Sequence, residues 1–351
     1  MLPTRYLNFM LLPGSPVADR CCRYGGDRRY LIRHGLPTPS LPEPLRSLAM
    51  KRKRATLLFC LRVMPHRQPY TKPHRSAADH VAHLATLGLN IPDSTRAQAA
   101  IEEIGYYRLR IYFLSRRLIS VPGRPFEAGT SFDHIMEIYE FDQQLRLECF
   151  RVCSRVEIIF RSAISEVLSS QYGAHPYDNP AVFADKDRHM DAYKEVIETF
   201  KKKKPSDPRA KDYFERYYPP IVPPIWTMKE LWTFGAANTF YKTLSTIVAN
   251  QIARRLNVID REVLTSWTAG LLDVRNVCGH HDRLFNRSFQ KTPKLIRHLN
   301  LPSKRPANKL HSQLECAQHI VRAFEAGYDC MTPISRLITN TQAIRPSEIG
   351  F

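Results

Sequence analysis

The amino-acid sequence predicts an all-α fold in which one long central helix is packed by shorter ones. Between Thr130 and Gly173, apolar residues recur at spacings of three, four and seven, which is the pattern of one buried face of an α-helix. A helix of that length is a rod of roughly 60 Å at ~1.5 Å per residue, so partner helices must cover its stripe, as in a helical bundle. The sequence also shows no strand-rich region, no internal repeat and no glycine-rich phosphate loop.

Residues 1–69 are predicted to form a basic, disordered extension. Four closely spaced prolines exclude a helix or a central strand there: Pro37, Pro39, Pro42 and Pro44. The chain of 351 residues carries a formal charge of +19, and residues 1–75 contribute +12 of it, with 15 Lys/Arg and 3 Asp/Glu. A basic segment can bind a polyanion, or it can be a tail with no specific partner. Both interpretations stay open.

Two helices are predicted before the long one. Residues 76–87 form a short helix that ends at Gly88. Asp93 or Ser94 caps the next, which continues to the breaker pair Pro122 and Gly123. The apolar positions of this second helix follow helical spacing at Ile101, Ile104, Ile111, Leu114 and Leu118.

The long helix begins after Thr130 or Ser131 and ends at Gly173. Its predicted core stripe consists of Ile135, Ile138, Leu145, Cys149, Val152, Val156, Ile159, Ala163 and Val167. Beyond it, prolines predict an irregular connection over residues 205–224. Helical patterns are predicted at 186–204, 228–241, 244–256, 260–284 and 310–336. Trp226 and Trp232 are predicted to be core residues.

Composition and hydropathy predict a cytoplasmic protein with reduced cysteines. The eight cysteines are an even number, but the chain is too long and too rich in core-forming segments to need disulfides. No apolar run reaches the ~18–20 residues that a membrane span requires, so no membrane partner is expected.

The segment 273–287 concentrates polar and titratable side chains at the end of an apolar helix. They are Arg275, Asn276, His280, His281, Asp282, Arg283, Asn286 and Arg287. A helix with a purely structural role does not need this set.

These residue types suit the cleavage of RNA without a metal. The ribose 2′-oxygen attacks the adjacent phosphorus, so one group must accept a proton, another must donate one, and a cation must stabilise the added charge. Histidine exchanges protons near neutrality, and the planar arginine fork binds phosphate. Arg275 and His280 lie about 140° apart around an ideal helix. They can flank one cleft if the helix bends near Gly279 or if a second copy faces it.

The sequence Arg275-Asn276-x-x-x-His280 resembles the R-x4–6-H signature of HEPN ribonucleases. Further segments resemble blocks of the Abi-like (abortive infection) family in the expected order. These are Ile104-Gly-Tyr-Tyr-Arg-Leu109, Phe141-Asp-Gln-Gln-Leu-Arg146, Val156-Glu-Ile-Ile-Phe-Arg161, Pro224-Ile-Trp-Thr-Met-Lys-Glu230 with Phe234-Gly235, and the long motif 275–287.

The resemblance implies a HEPN-type helical bundle with additional helices at residues 70–290. It covers neither the basic extension before Tyr70 nor the chain after about Leu301, and the C-terminal helix and tail at 291–351 are predicted from the residue pattern alone. The resemblance implies an endoribonuclease that acts in phage defence or growth arrest and leaves 2′,3′-cyclic phosphate ends without a metal or cofactor. It also implies an RNA substrate and a homodimer with a composite active site. The resemblance further leaves room for a neutralising antitoxin, RNA or protein, which the sequence does not identify.

Site residues follow from the resemblance position by position. Arg275 and His280 match the catalytic pair, and Asn276 matches the polar position beside the arginine. His281, Arg283, Asn286 and Arg287 match the extended motif as RNA-binding or supporting residues. Glu157 and Arg161 match the block on the long helix, where they either orient the catalytic pair or form an ordinary i,i+4 ion pair.

Several alternatives stay open at the level of sequence. The protein could be a non-catalytic RNA-binding or regulatory protein, or a helical interaction module. A zinc site would combine Cys278, His280 and His281 with His311, Cys316 and His319, although their spacing matches no common finger. Tyr106, Tyr107, Arg108 and the run 201–204 could contact RNA, or they could be packed and solvated surface residues.

Overall fold

The computed structural model describes residues 70–351 except residues 218, 304 and 305, so the predicted extension at 1–69 lies outside the described residues. Over the described part, the chain forms twelve α-helices with no strand or sheet. The all-α prediction is confirmed.

In chain order the helices are α1 Ala77–Thr86, α2 Ser94–Ile104, α3 Tyr106–Leu114, α4 Phe132–Tyr172, α5 Lys186–Lys203, α6 Pro208–Arg216, α7 Ile225–Leu231, α8 Phe234–Thr243, α9 Thr246–Arg255, α10 Arg261–Gly279, α11 Leu310–Arg322 and α12 Met331–Asn340.

The long helix α4 is the predicted central rod. The Ser131 side chain caps it by accepting from the backbone N–H of His134, and Gly173 follows its last turn with a positive φ of 77°. Every residue of the predicted apolar stripe is buried. The 3.6-residue period therefore identified the core face of α4 over all 41 of its residues.

The other helices cover α4 along its length. Helices α7, α10 and α11 make its most extensive contacts, and α3, α8, α9 and α12 also pack on it. Helix α10 begins at the cap residue Asp260, whose side chain accepts from the N–H of Val263. Its apolar face, which includes Trp267, Leu271 and Val274, is buried. This packing holds the polar C-terminal end of α10 against the middle of α4.

The predicted helix from residue 94 to the breaker pair is two helices. Gly105 separates α2 from α3 at a φ of 91°, a conformation that an L side chain rarely adopts. Helix α3 ends at Leu114, and Ile111 and Leu118 are exposed rather than in the core. Asp93 is the cap of α2, because its side chain accepts from the N–H of Arg96.

The predicted irregular connection at 205–224 contains helix α6. Asp207 caps this helix and Pro208 occupies its first position, where proline fits because its missing N–H has no partner to lose. At least one of these prolines, Pro208, therefore marks the start of a helix and not an irregular segment. Trp226 is 50% exposed, so its assignment to the core was wrong, whereas Trp232 is buried.

Three other predicted helices have different bounds. The segment 228–241 lies across α7 and α8, which separate at Trp232 and Thr233. The segment 310–336 is divided into α11 and α12. The segment 260–284 ends five residues early, at Gly279, for the reason given below.

No helix of the described residues is long and apolar enough to cross a membrane. The cysteines at positions 149, 153, 278, 316 and 330 are free and buried. Within the described ranges, no group of three His, Cys, Asp or Glu residues is arranged to hold a metal ion.

Candidate active site

The chain turns sharply at the C-terminal end of α10. His280 is the C-cap residue, and His281 adopts a left-handed conformation with a φ of 57°. The His281 N–H donates to the Cys278 carbonyl at 3.1 Å, and the Asp282 N–H donates to the Val277 carbonyl at 2.9 Å. These two bonds are those of a Schellman turn. Helix α10 therefore stops at Gly279, and the histidines lie at its exposed end.

A buried carboxylate on α4 holds the segment after this turn. Asp142 Oδ1 accepts from the backbone N–H groups of Leu284 at 3.1 Å and Phe285 at 2.6 Å. Its Oδ2 accepts from the hydroxyl of Tyr112 at 2.6 Å and pairs with Arg146. Burial, with the neighbouring carboxylate, raises the pKa of Tyr112, which keeps the phenol protonated as a donor. All the hydrogen-bonding capacity of this buried charge is thus engaged.

Helix α3 provides a second anchor for the turn. Arg108 Nη2 donates to the carbonyl oxygen of His281 at 2.6 Å. Arg108 lies in the sequence block at 104–109, and Asp142 lies in the block at 141–146. These two blocks, which are distant in sequence, therefore both contact the end of the motif segment.

Arg275 lies between α10 and α4 in an acidic and aromatic setting. Its Nε is 3.9 Å from Glu157 Oε2, and its guanidinium carbon lies 5.9 Å from the ring centre of Phe150. Its Nη1 is 3.4 Å from Oδ1 of Asn276. The buried Nε has no hydrogen bond among the described residues, so the Glu157 carboxylate is its counter-charge. The side chain is still 34% exposed and can reach a ligand.

Glu157 is shared between two arginines. Its other oxygen, Oε1, is 3.9 Å from Arg161 Nη1, and the same Nη1 donates to the carbonyl of Trp232 at 2.6 Å. The sequence offered two interpretations for Glu157 and Arg161, an i,i+4 ion pair or an orienting pair. The structure shows both contacts, because Glu157 faces its helical neighbour and Arg275 at once.

His280 has an exposed side chain. Its backbone N–H still donates to the carbonyl of Asn276 at 2.9 Å, and within the described part of the chain no hydrogen bond or ion pair engages its ring. The imidazole is therefore free to contact a ligand. By helical geometry, it projects about 140° away from Arg275.

The remaining motif residues lie along the anchored segment. Arg283 is half-buried, and burial lowers its pKa. Arg287 Nη1 donates to the carbonyl of Arg283 at 3.1 Å. Asn286 is exposed and has a positive φ of 49°, a conformation that asparagine adopts more often than most residues. The contacts therefore form two groups. One group consists of Arg275, Asn276, Glu157 and Arg161, and the other consists of Arg283 and Arg287.

Sequence reasoning missed Asp142, Arg146, Tyr112 and Phe150. A signal for the first two was present, because they are charged residues at i,i+4 beside the apolar positions Ile138, Leu145 and Cys149. Charged residues within such a stripe are normally paired and hydrogen-bonded. Nothing in the spacing indicated that their partner would be the motif segment.

The residues that the sequence offered as further RNA contacts or zinc ligands lie in various environments. Tyr106 stacks on His80 with ring centres 3.7 Å apart, whereas Tyr107 is exposed beside the anchoring Arg108. In the 201–204 run, Lys204 Nζ lies 3.2 Å from the ring centre of Phe214. Burial raises the pKa of the Cys278 thiol to about 12, so this cysteine is not a thiolate nucleophile at neutral pH.

The chain matches a known protein family over a region that includes the candidate site. The sequence model of a family described as "Abi-like protein" matches residues 99–286, which is more than half of the chain. The matched region begins in α2 and ends at Asn286, so it includes the Asp142 anchor and the Arg275–His280 motif. No curated protein and no solved structure matches the chain.

Proposed function

The chain belongs to the Abi-like protein family, and on this premise we propose that it is a metal-independent endoribonuclease of the HEPN type. Family membership indicates a function of the abortive-infection type. The proposed role is RNA cleavage in phage defence or in growth arrest.

The placement of Arg275 and His280 carries the proposal. Both residues lie at the open end of α10, next to the turn that Asp142 and Arg108 anchor. Arg275 is oriented by Glu157 but keeps an exposed fraction, and the His280 ring is unengaged by the described residues. A fixed cation and a free imidazole are two groups that a phosphoryl-transfer site requires, and here both belong to the same end of α10.

The proposed reaction is an intramolecular transesterification. The ribose 2′-oxygen forms a bond to the adjacent phosphorus while the bond from phosphorus to the 5′-oxygen breaks. A histidine accepts the 2′ proton, and a protonated histidine donates a proton to the leaving 5′-oxygen. Arg275 stabilises the additional charge on the phosphate oxygens, and Asn276 positions the arginine or the phosphate. The products carry a 2′,3′-cyclic phosphate and a 5′-hydroxyl.

A homodimer would complete such a site. One chain offers a single His280, and the side chains of Arg275 and His280 diverge around α10. Three apolar side chains of α4 near Arg275 are open: Leu147 is 71%, Phe150 41% and Ile158 52% exposed. They lie on the outer side of the helix together with the exposed arginines Arg151 and Arg155. A second copy docked on this face would bring a second histidine to the phosphate, so that one accepts a proton and the other donates one.

The test compares the wild type with the Arg275→Ala/His280→Ala variant on total cellular RNA in the presence of EDTA. We expect cleavage by the wild type alone, with cyclic phosphate ends. Cleavage that EDTA abolishes and that leaves 3′-hydroxyl ends would contradict the mechanism. Equal cleavage by both proteins would place the activity outside this site.

Expression in cells provides a second readout. An active toxin slows growth, and His280→Ala should relieve that effect at equal protein level. RNA binding without cleavage by the wild type would instead favour the alternative function, a non-catalytic RNA-binding or regulatory protein.

A further inference from the structure

We propose that Arg283 and Arg287 form a second phosphate-binding site, which holds a phosphodiester group of the same strand next to the one that is cleaved. This inference rests on the proposed RNA substrate. It assigns the two arginines a binding role that is separate from the chemistry at Arg275 and His280.

The first observation is that neither guanidinium has an acidic partner among the described residues. No carboxylate of the described chain lies within ion-pair distance of Arg283 or Arg287. Other arginines do have one, such as Arg96 with Asp133 at 2.9 Å and Arg345 with Glu127 at 2.5 Å. The only hydrogen bond that either guanidinium makes in that part of the chain is from Arg287 Nη1 to the Arg283 carbonyl at 3.1 Å.

The second observation is that the carboxylate acting on Arg283 is already saturated. Asp142 attracts Arg283 electrostatically, but its two oxygens accept from the N–H groups of Leu284 and Phe285, from the Tyr112 hydroxyl and from Arg146. Asp142 therefore fixes the backbone that carries Arg283 without neutralising its side chain.

The third observation is that this arrangement is unfavourable without a ligand. Arg283 is half-buried, and both its burial and the charge of Arg287 lower its pKa. A guanidinium keeps its charge at neutral pH, so it cannot relieve the cost by losing a proton. An anion can, and two planar arginine forks suit a phosphate group with several acceptor oxygens.

The location identifies the group as a phosphate other than the scissile one. Arg283 precedes Leu284, which is bonded to Asp142, whereas Arg275 lies over Phe150. Asp142 and Phe150 are eight residues apart on α4, or about 12 Å at ~1.5 Å per residue. The two arginine sites therefore face different turns of α4. One strand lying along this surface would contact Arg283 and Arg287 with the phosphate of a nearby nucleotide.

The experiment measures binding of a short, fluorescein-labelled single-stranded RNA by fluorescence anisotropy. The parent protein is the full chain with His280→Ala, so that the RNA stays intact. Arg283→Gln/Arg287→Gln in this parent should weaken binding about tenfold or more, and the slope of log affinity against log salt should decrease by ~0.7 for each lost phosphate contact. The matched control is Arg255→Gln. Arg255 is an exposed arginine without an ion pair to the described residues. It is the last residue of α9 and so lies before the N-terminal end of α10, whereas Arg283 and Arg287 follow its C-terminal end.

Affinity and salt slope equal to those of the Arg255→Gln control would overturn the inference while leaving RNA cleavage intact. A parent protein that does not bind RNA would overturn both proposals. In the protein that retains His280, Arg287→Gln should raise KM and leave kcat within about twofold, unlike a change at Arg275. If Arg283→Gln does not fold, Arg283→Lys and Arg287→Gln provide the test. The RNA affinity of each of these two single variants should lie between the affinity of the parent and that of the double variant. If both single variants bind RNA as tightly as the parent, the inference is overturned.

Discussion

Glu157 is the residue on which the position of Arg275 depends. It is the counter-charge of the buried Arg275 Nε and at the same time an ion-pair partner of Arg161. Without the carboxylate, Arg275 keeps its charge but loses the contact that orients it. We expect Glu157→Gln to lower kcat for RNA cleavage about tenfold, which is ~1.4 kcal/mol of transition-state stabilisation, with KM nearly unchanged. Single-turnover cleavage of a defined RNA measures both constants.

Glu166→Gln is the control for this prediction. Glu166 lies on the same helix, is exposed and pairs with no cation among the described residues, so its substitution should leave kcat unchanged. Glu157→Asp should recover part of the rate, because it keeps the charge. An equal loss in the Glu157 and Glu166 variants would mean that a general effect on the protein, and not the position of Arg275, accounts for the change.

Of the carboxylates in this site, Asp142 is predicted to lower the free energy of unfolding most when its charge is removed. Asp142→Asn keeps the shape of the side chain but leaves Arg146 buried without its counter-charge. Such a loss destabilises proteins by roughly 3–5 kcal/mol. The exposed pair of Arg96 and Asp133 is the internal comparison, and Asp133→Asn should cost less than about 1 kcal/mol. Unfolding in urea measures both, and similar midpoints for the two variants would contradict this account of the anchor.

At the level of single residues, the sequence predicted the candidate reactive groups but not what positions them. Arg275 and His280 were singled out by their residue types and by the resemblance of the surrounding blocks to the family. The roles of Asp142 and Arg108 were not, because each acts on a backbone group of the motif segment. Backbone N–H and carbonyl groups are the same in every residue, so a contact to them leaves no complementary pattern in the sequence.

The turn that ends α10 is an element with a defined backbone requirement. His281 holds a φ of 57° and offers its carbonyl to Arg108. Glycine adopts this conformation without strain, whereas a β-branched residue does not. We expect His281→Gly to retain stability and RNA cleavage, and His281→Val to lose both in part. Thermal unfolding and a cleavage assay measure the two effects. An inactive His281→Gly protein with normal stability would show instead that the His281 imidazole takes part in the reaction.

The positions at which helices end were harder to predict from the sequence than the helices themselves. The centre of α4 followed from periodicity, and its ends followed from Ser131 and Gly173. The break at Gly105 and the end of α10 did not follow, because apolar residues continue at helical spacing past both points. At Gly105 a positive φ interrupts the helix, and after Gly279 the Schellman turn and the Asp142 anchor do. At Gly105 the cause is the local conformation of the glycine, whereas at the end of α10 a tertiary contact from Asp142 adds to a local turn.

At the scale of the whole molecule, the sequence predicted the core of α4 but not its neighbours. A stripe of apolar residues shows which face of a helix is buried, and each predicted stripe residue of α4 is buried. The same stripe does not show which helix covers it. Helices α7, α10 and α11 all pack on α4 although they lie far apart in sequence, and the position of α10 on α4 determines where the motif segment lies.

The exposed apolar residues of α4 lead to a prediction about assembly. Leu147 and Ile158 flank Phe150, which contacts Arg275, so a partner that covers these residues also closes the site. We expect the wild type to be a dimer by light scattering, and Leu147→Lys/Ile158→Lys to be a monomer that is folded but cleaves RNA at less than about one-tenth of the wild-type rate, since lysines in an apolar interface are costly to desolvate. Met190→Lys is the matched control, because Met190 is a similarly exposed apolar residue on α5. It should remain dimeric and active. A monomeric wild type with full activity would show that one chain holds a complete site, and the two histidine roles would then have to fall to a single His280.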